Sequence, residues 1–268
     1  MTVANLPMYD LPEVAPATDS WWRGLARAFS REGVRDVPAH LTRDMDTESV
    51  WLAPDLLFSQ TCGYPLTHSF RGRLQVVATP VYASPHCDGP EYCSLIVVRD
   101  DDPAGELGDL RGRTAAVNNP DSQSGYSALR AAVAPLAEGG RFFGRVVTSG
   151  GHANSLALVQ GGAADVCASD CVTYALLSRY RPEALEGLRV LGRSPRAPGL
   201  PYVTRPDAGE ELTARLRAGL FAALEDPDLA AAREALLIAG GAALPEGAYR
   251  RIVDIERQAE ALGYARVA

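Results

Sequence analysis

The 268 residues suffice for one large or two modest domains with well-filled cores, and 47% hydrophobic with 22% charged residues is ordinary for a globular protein. Acidic residues outnumber basic ones, 33 to 26, for a net charge of −7, which argues against nucleic acid or acidic membrane surfaces as main partners. No apolar run approaches membrane-spanning length. In chain order, residues 3–9 read as a first strand, and Thr18 or Asp19 can cap a helix carrying Trp22, Leu25, Ala26 and Phe29. Residues 55–58 form a short apolar strand followed by Ser59-Gln60-Thr61-Cys62-Gly63. β-rich runs follow at 74–81, 95–98 and 114–117. Asn118, Asn119 and Pro120 break the last of these, and a helix then opens at 121–125 with Tyr126, Leu129, Val133 and Leu136 on its apolar face. Strands at 145–148, 164–168 and 188–191 alternate with helices at 152–160 and from about Asp170. The C-terminal third reads as three helices: Leu212, Leu216, Leu220 and Leu224 on one face, then 229–239, then 246–262.

Alternation of strand and helix predicts an α/β fold of mainly parallel sheets flanked by helices. Irregular stretches near 80–88 and 194–206 bracket one block, so the expected organisation is two-lobed. Residues 1–84 and 201–268 make a discontinuous first lobe, and 85–200 an inserted second one. In such an architecture the ligand cleft lies between the lobes, at the carboxyl ends of strands.

Four strand ends carry similar chemistry. Ser59, Gln60 and Thr61 follow the first, and Ser122, Gln123 and Ser124 the second. Gly150, Gly151 and His152 follow the third, and Ser169 and Asp170 the fourth. Hydroxyl and acidic groups at such points are ordinary helix caps, but the first N–H groups of a helix also suit an anion. Recurrence of the arrangement on one scaffold points to a pocket. Asp170 reads equally as a cap or as a ligand contact. An ionised carboxylate only accepts hydrogen bonds, so as a contact it needs a protonated oxygen, a hydroxyl or an ammonium group, as in a zwitterion. Tyr9, ending the first strand, is either a rim contact or core packing.

Cys62, Cys87, Cys93, Cys167 and Cys171 contain no CxxC pair, so reduced and mostly buried thiols are expected. His86, Cys87 and Cys93 lack the paired spacing of a structural zinc site, and no metal or cofactor is predicted. Cys62, just inside a helix start, is either a small buried residue or a nucleophile with His152 as its base. The N-terminus lacks a basic-then-apolar leader, so the expected location is cytoplasmic, or periplasmic if a leader has been removed.

The stretches DLLFSQTCGYP, EYCSLIVVRDDDP, LRGRTAAVNNPDSQSGY and TSGGHANSLALVQGGAADVCASD resemble the substrate-binding proteins of phosphate/phosphite/phosphonate-type ABC transporters. The resemblance implies a leaderless member of that family with the type II periplasmic-binding-protein fold. It implies Ser122, Gln123 and Ser124 as oxyanion donors, with Gln123 standing where that family usually has a hydroxyl. It also implies His152 as the pocket histidine, Asp170 as the pocket acid and Tyr92 as an aromatic contact, with Ser59, Gln60 and Thr61 serving from the first lobe. The function so implied is binding of a small polar, anionic or zwitterionic solute, with an ABC permease or a sensor as partner. The alternative is a cytoplasmic enzyme on the same scaffold, similar to chorismate-dehydratase-type or thiamine-pyrimidine-synthesising enzymes. A transcription-regulator effector lacks its helix-turn-helix segment here.

Overall fold

The run Leu56-Leu57-Phe58 has no polar face, and the fold buries the whole strand Leu56–Gln60 inside a sheet. The computed structural model describes residues 2–245 and 247–268, and the chain divides into two units. Unit one comprises Met1–Ala83 and Gly199–Glu246. Its sheet runs in the order Val3–Ala4, Leu56–Gln60, Tyr202–Thr204, Gln75–Tyr82, Ile238–Ala242. The first pair is parallel and the other three are antiparallel. The helix Ala15–Arg31 buries Trp21, Trp22, Leu25, Ala28 and Phe29, and the rings of Phe29 and Phe58 meet at 5.0 Å. The helix Gly209–Glu225 lies against it so closely at Gly219 that a Cβ there would stand 2.7 Å from the Phe29 ring.

Unit two comprises Ser84–Pro198 and Gly247–Ala268. Its sheet runs Arg145–Thr148, Thr114–Val117, Val166–Asp170, Ser94–Arg99, Leu188–Arg193. Thr114–Val117 pairs in parallel with both neighbours, whereas Ser94–Arg99 is antiparallel to both of its own. Both sheets are therefore mixed, where alternation alone predicted mainly parallel pairing. A second, two-stranded ribbon joins Glu91–Tyr92 to Ala197–Pro198.

Several expectations are corrected in detail. The first strand stops at Ala4, because Pro7 has no N–H to give a ladder and the chain turns there. Helix 15–31 begins ahead of Thr18 and Asp19, so neither caps it, and the Thr18 hydroxyl instead donates back to the Val14 carbonyl at 3.3 Å. The predicted helix 229–239 ends at Ala235. Leu237 then takes a left-handed conformation (φ 57°), and Ile238–Ala242 becomes an edge strand on Gln75–Tyr82. Residues 247–268, expected with the first lobe, pack in unit two. The helix Arg250–Ala261 presents an apolar stripe of Ile252, Ile255 and Ala259. Ala259, Tyr264 and Val267 enter the core formed by Ile96, Val98, Val117, Leu129, Val133 and Phe142. Among the described residues no helix is long and apolar enough to cross a membrane.

Candidate functional site

The strand Thr114–Val117 delivers the chain to Asn118, and the helical run that follows begins at Gln123 as a π turn before continuing as the helix Ala128–Val133. Ser122 is its cap: the side-chain oxygen accepts from the Gly125 N–H at 3.0 Å. Gly125 has to be glycine, because a Cβ there would stand 2.3 Å from the Asn118 amide. Asn118 Oδ1 in turn accepts from the Ser155 hydroxyl at 3.1 Å. Ser155 and Ser149 hydroxyls lie 2.6 Å apart, and Ser149 donates to the Val117 carbonyl at 3.0 Å. These small polar groups weld the 118–125 turn to the 148–152 turn.

The second turn is Thr148-Ser149-Gly150-Gly151, with Gly150 at φ +81°, a conformation that glycine adopts without strain. His152 is the first residue of the helix His152–Gln160. Its Nε2 stands 2.8 Å from the Ser124 Oγ, while Nδ1 lies 3.2 Å from the Ala168 carbonyl and 3.4 Å from the Asp170 N–H. Burial pushes the imidazole pKa down to about 4, partly offset by the Ala168 carbonyl, so the ring is neutral at pH 7. A neutral ring has one donor and one acceptor. With the hydrogen on Nδ1 it donates to Ala168 and accepts from the Ser124 hydroxyl. With the hydrogen on Nε2 it donates to Ser124 and frees that hydroxyl's hydrogen for another acceptor.

Asp170 ends the strand Val166–Asp170 and caps the helix Cys171–Tyr180, its Oδ1 accepting from the N–H groups of Val172 at 2.7 Å and Thr173 at 3.1 Å. The cap reading of Asp170 is thus realised. Gln123 is 2% exposed, and its Oε1 has no hydrogen-bond partner among the described residues. An acceptor left so costs about 1–3 kcal/mol until a donor reaches it. Ser122, Gln123, Ser124, His152 and Asp170 are therefore gathered at the strand ends of unit two. Tyr92 is buried in the Glu91–Tyr92 ribbon of the same unit, two residues ahead of Ser94, the register partner of Asp170.

In unit one the expected residues separate. Ser59 is fully buried, donating to Asn5 Oδ1 and accepting from Trp51 Nε1 at 3.0 Å, which makes it a structural strut. Thr61 donates its hydroxyl to the Cys62 carbonyl at 3.2 Å and its N–H to the Pro201 carbonyl at 3.1 Å. Gln60 reaches the Tyr82 hydroxyl and the Leu200 carbonyl, both at 3.0 Å. Tyr9 sets its ring edge-on to Tyr82 at 5.0 Å. Tyr9, Gln60, Trp21, Tyr82 and Tyr202 line a recess of about 20 Å³, room for a single water. Burial raises the Tyr202 hydroxyl to about 12, so it stays neutral. Trp21, Tyr82 and Tyr202 were not singled out from sequence; only the alternation along 75–82 could have flagged Tyr82. Both ring nitrogens of His152 are engaged within its own unit.

The family described as ABC transporter, phosphonate, periplasmic substrate-binding protein matches residues 52–244. A curated relative, the phosphonates-binding periplasmic protein of Escherichia coli (strain K12), is 33% identical over 146 residues, 52% of this chain; the match spans 42% of that relative's length. Among solved structures, a binding-protein component of an ABC phosphonate transporter from Pseudomonas aeruginosa superposes with a TM-score of 0.76 at 19% identity, covering 98% of this chain and 87% of that one. A Prochlorococcus marinus protein in complex with methylphosphonate superposes with a TM-score of 0.75 at 16% identity, covering 97% and 98%. At such identities the structural likeness shows the fold, a type II periplasmic-binding-protein fold.

Proposed function

Because this chain belongs to the family of periplasmic substrate-binding proteins of phosphonate ABC transporters, we propose that it binds a small solute bearing a phosphonate-like oxyanion and presents it to an ABC permease. The observation that carries this reading is the Ser124–His152 pair at 2.8 Å, set on glycine-bounded turns at the ends of two parallel strands. When ligand binding shifts its hydrogen from Nδ1 to Nε2, with Nδ1 then accepting from the Asp170 N–H at 3.4 Å, His152 releases the Ser124 hydroxyl to donate to an oxyanion. Helix-start N–H groups at 123–124 add dipolar attraction without any full positive charge.

We read the buried, unpartnered Gln123 Oε1, on the residue before Ser124, as the acceptor for a donor on the same ligand. An ammonium group or a protonated oxygen supplies it, which favours an aminoalkylphosphonate over a bare dianion. Asp170 caps the helix that follows the neighbouring strand end.

Isothermal calorimetry on the full chain tests the reading with inorganic phosphate, methylphosphonate and aminoethylphosphonate. Saturable one-to-one binding without turnover is expected, strongest for the amine-bearing ligand. Ser124→Ala should weaken it about tenfold, ~1.4 kcal/mol. Gln123→Met should narrow the preference for aminoethylphosphonate over methylphosphonate. Absence of heat and of any melting shift with all three ligands would overturn the proposal.

A further inference from the structure

Three of the five cysteines converge on one point of unit two. Cys171, the first residue of its helix, is 1% exposed. The Cys87 Sγ lies 3.7 Å from the Cys171 Sγ, and the Cys93 thiol donates to the His86 carbonyl of the same loop at 3.7 Å. The backbone fastens the group: the Cys171 N–H donates to the Cys93 carbonyl at 3.1 Å, and the Ser84 hydroxyl to the Cys171 carbonyl at 3.2 Å. Among the described residues no group of three or more His, Cys, Asp and Glu side chains is arranged to hold a metal.

The three thiols are unequal in reach and in charge. Cys93 is buried beside the strand Ser94–Arg99, whereas Cys87 is half-buried in a loop next to exposed Asp88 and Gly89. Contact with Cys87 lowers the Cys171 thiol and raises that of Cys87, which favours thiolate character at Cys171. Reachable thiol and nucleophilic thiol are thus adjacent and distinct.

We propose that Cys87 and Cys171 are a disulfide site, closed by exchange with a low-molecular-weight disulfide such as oxidised glutathione. Cys87 sulfur attacks the glutathione disulfide, giving a Cys87–glutathione mixed disulfide and one reduced glutathione, its proton passing to Cys171 and then to water. The Cys171 thiolate next attacks the Cys87 sulfur, forming the protein S–S bond and expelling the second glutathione, which takes up a proton. Two thiols are oxidised and one external disulfide is reduced. Closing 3.7 Å to a bonded distance of about 2.05 Å requires the 84–88 loop to shift by roughly 1.7 Å while Cys171 stays fixed by helix and strand. The bond would tie that loop to the helix start beside Asp170. The bacterial periplasm, where the family is placed, is oxidising enough for such bonds. The inference stands on thiol geometry and is independent of the ligand reading.

The test is equilibration of the full chain with excess oxidised glutathione, then denaturation, alkylation of free thiols and peptide mapping by mass spectrometry. The expected product is lighter by two hydrogens, with a peptide pair linking Cys87 to Cys171 and alkylation at Cys62, Cys93 and Cys167 only. Its melting temperature should exceed that of the reduced chain by at least about 5 °C, because the bond spans a long loop. Cys93→Ser should form the same linked pair, and Cys87→Ser should leave all its remaining cysteines alkylated. Alkylation of all five in the wild type, a persistent glutathione adduct on Cys87, or a Cys93–Cys171 link would each overturn the proposal.

Discussion

Folding partly buries the His152 imidazole and lowers its pKa from the ordinary 6.5 to about 4. Above pH 6.5 the ring is neutral in folded and unfolded chains alike, and its full contribution is present. Between pH 6.5 and 4 the unfolded chain takes up a proton that the folded one refuses, so stability falls as the pH is lowered through that range. Urea titrations across that range should show the loss, and His152→Gln should flatten it. At this scale the candidate site, which remains a proposal, was partly legible as a cluster. Ser122, Gln123, Ser124 and His152 announce themselves because hydroxyls and glycines at strand ends are local signals. Ser59 was misleading because its partners, Asn5 and Trp51, lie elsewhere in the chain, and nothing near 59 reveals that its oxygen is already engaged.

Where two helices cross at Gly219, the separation is set by the missing side chain. Gly219→Ala would place a Cβ 2.7 Å from the Phe29 ring and 3.1 Å from the backbone of Ala28. Overpacking of this kind costs about 1–3 kcal/mol, and a chemical melt should record that loss despite the better helix propensity of alanine. Asp170→Ala removes the acceptor of two helix-start N–H groups and should cost about 1–2 kcal/mol by the same measurement. Elements with a clear period were read closely from sequence: Thr114–Val117, Arg145–Thr148 and His152–Gln160 fall where expected. Ile238–Ala242 did not, since its Ala-Gly composition carries no strand signal and only the free edge of Gln75–Tyr82 recruits it. Two-residue strands such as Glu91–Tyr92 have no period to detect.

Three connections join the units, at 83–84, 198–199 and 246–247, and the last returns the chain to unit two. There Arg130, 3% exposed, donates to Glu256 at 2.9 Å and to the Ala265 carbonyl at 2.8 Å. Glu256→Ala strands a buried guanidinium without its carboxylate. It should cost about 3 kcal/mol in equilibrium unfolding, well beyond a surface pair. This long-range closure was invisible in sequence, because the amphipathic stripe of 250–261 declares that it packs but not against which core.

The wandering C-terminal segment makes unit two a protein assembled from two separate pieces of one chain. Residues 84–198 expressed alone would lack the wedge of Ala259, Tyr264 and Val267, and the N–H groups of Phe142 and Phe143 would lose the Ala268 carbonyl that receives them at 2.6 and 2.9 Å. A synthetic peptide of residues 247–268 added in trans would then restore order to that fragment, turning an intramolecular return into a split-protein complementation pair.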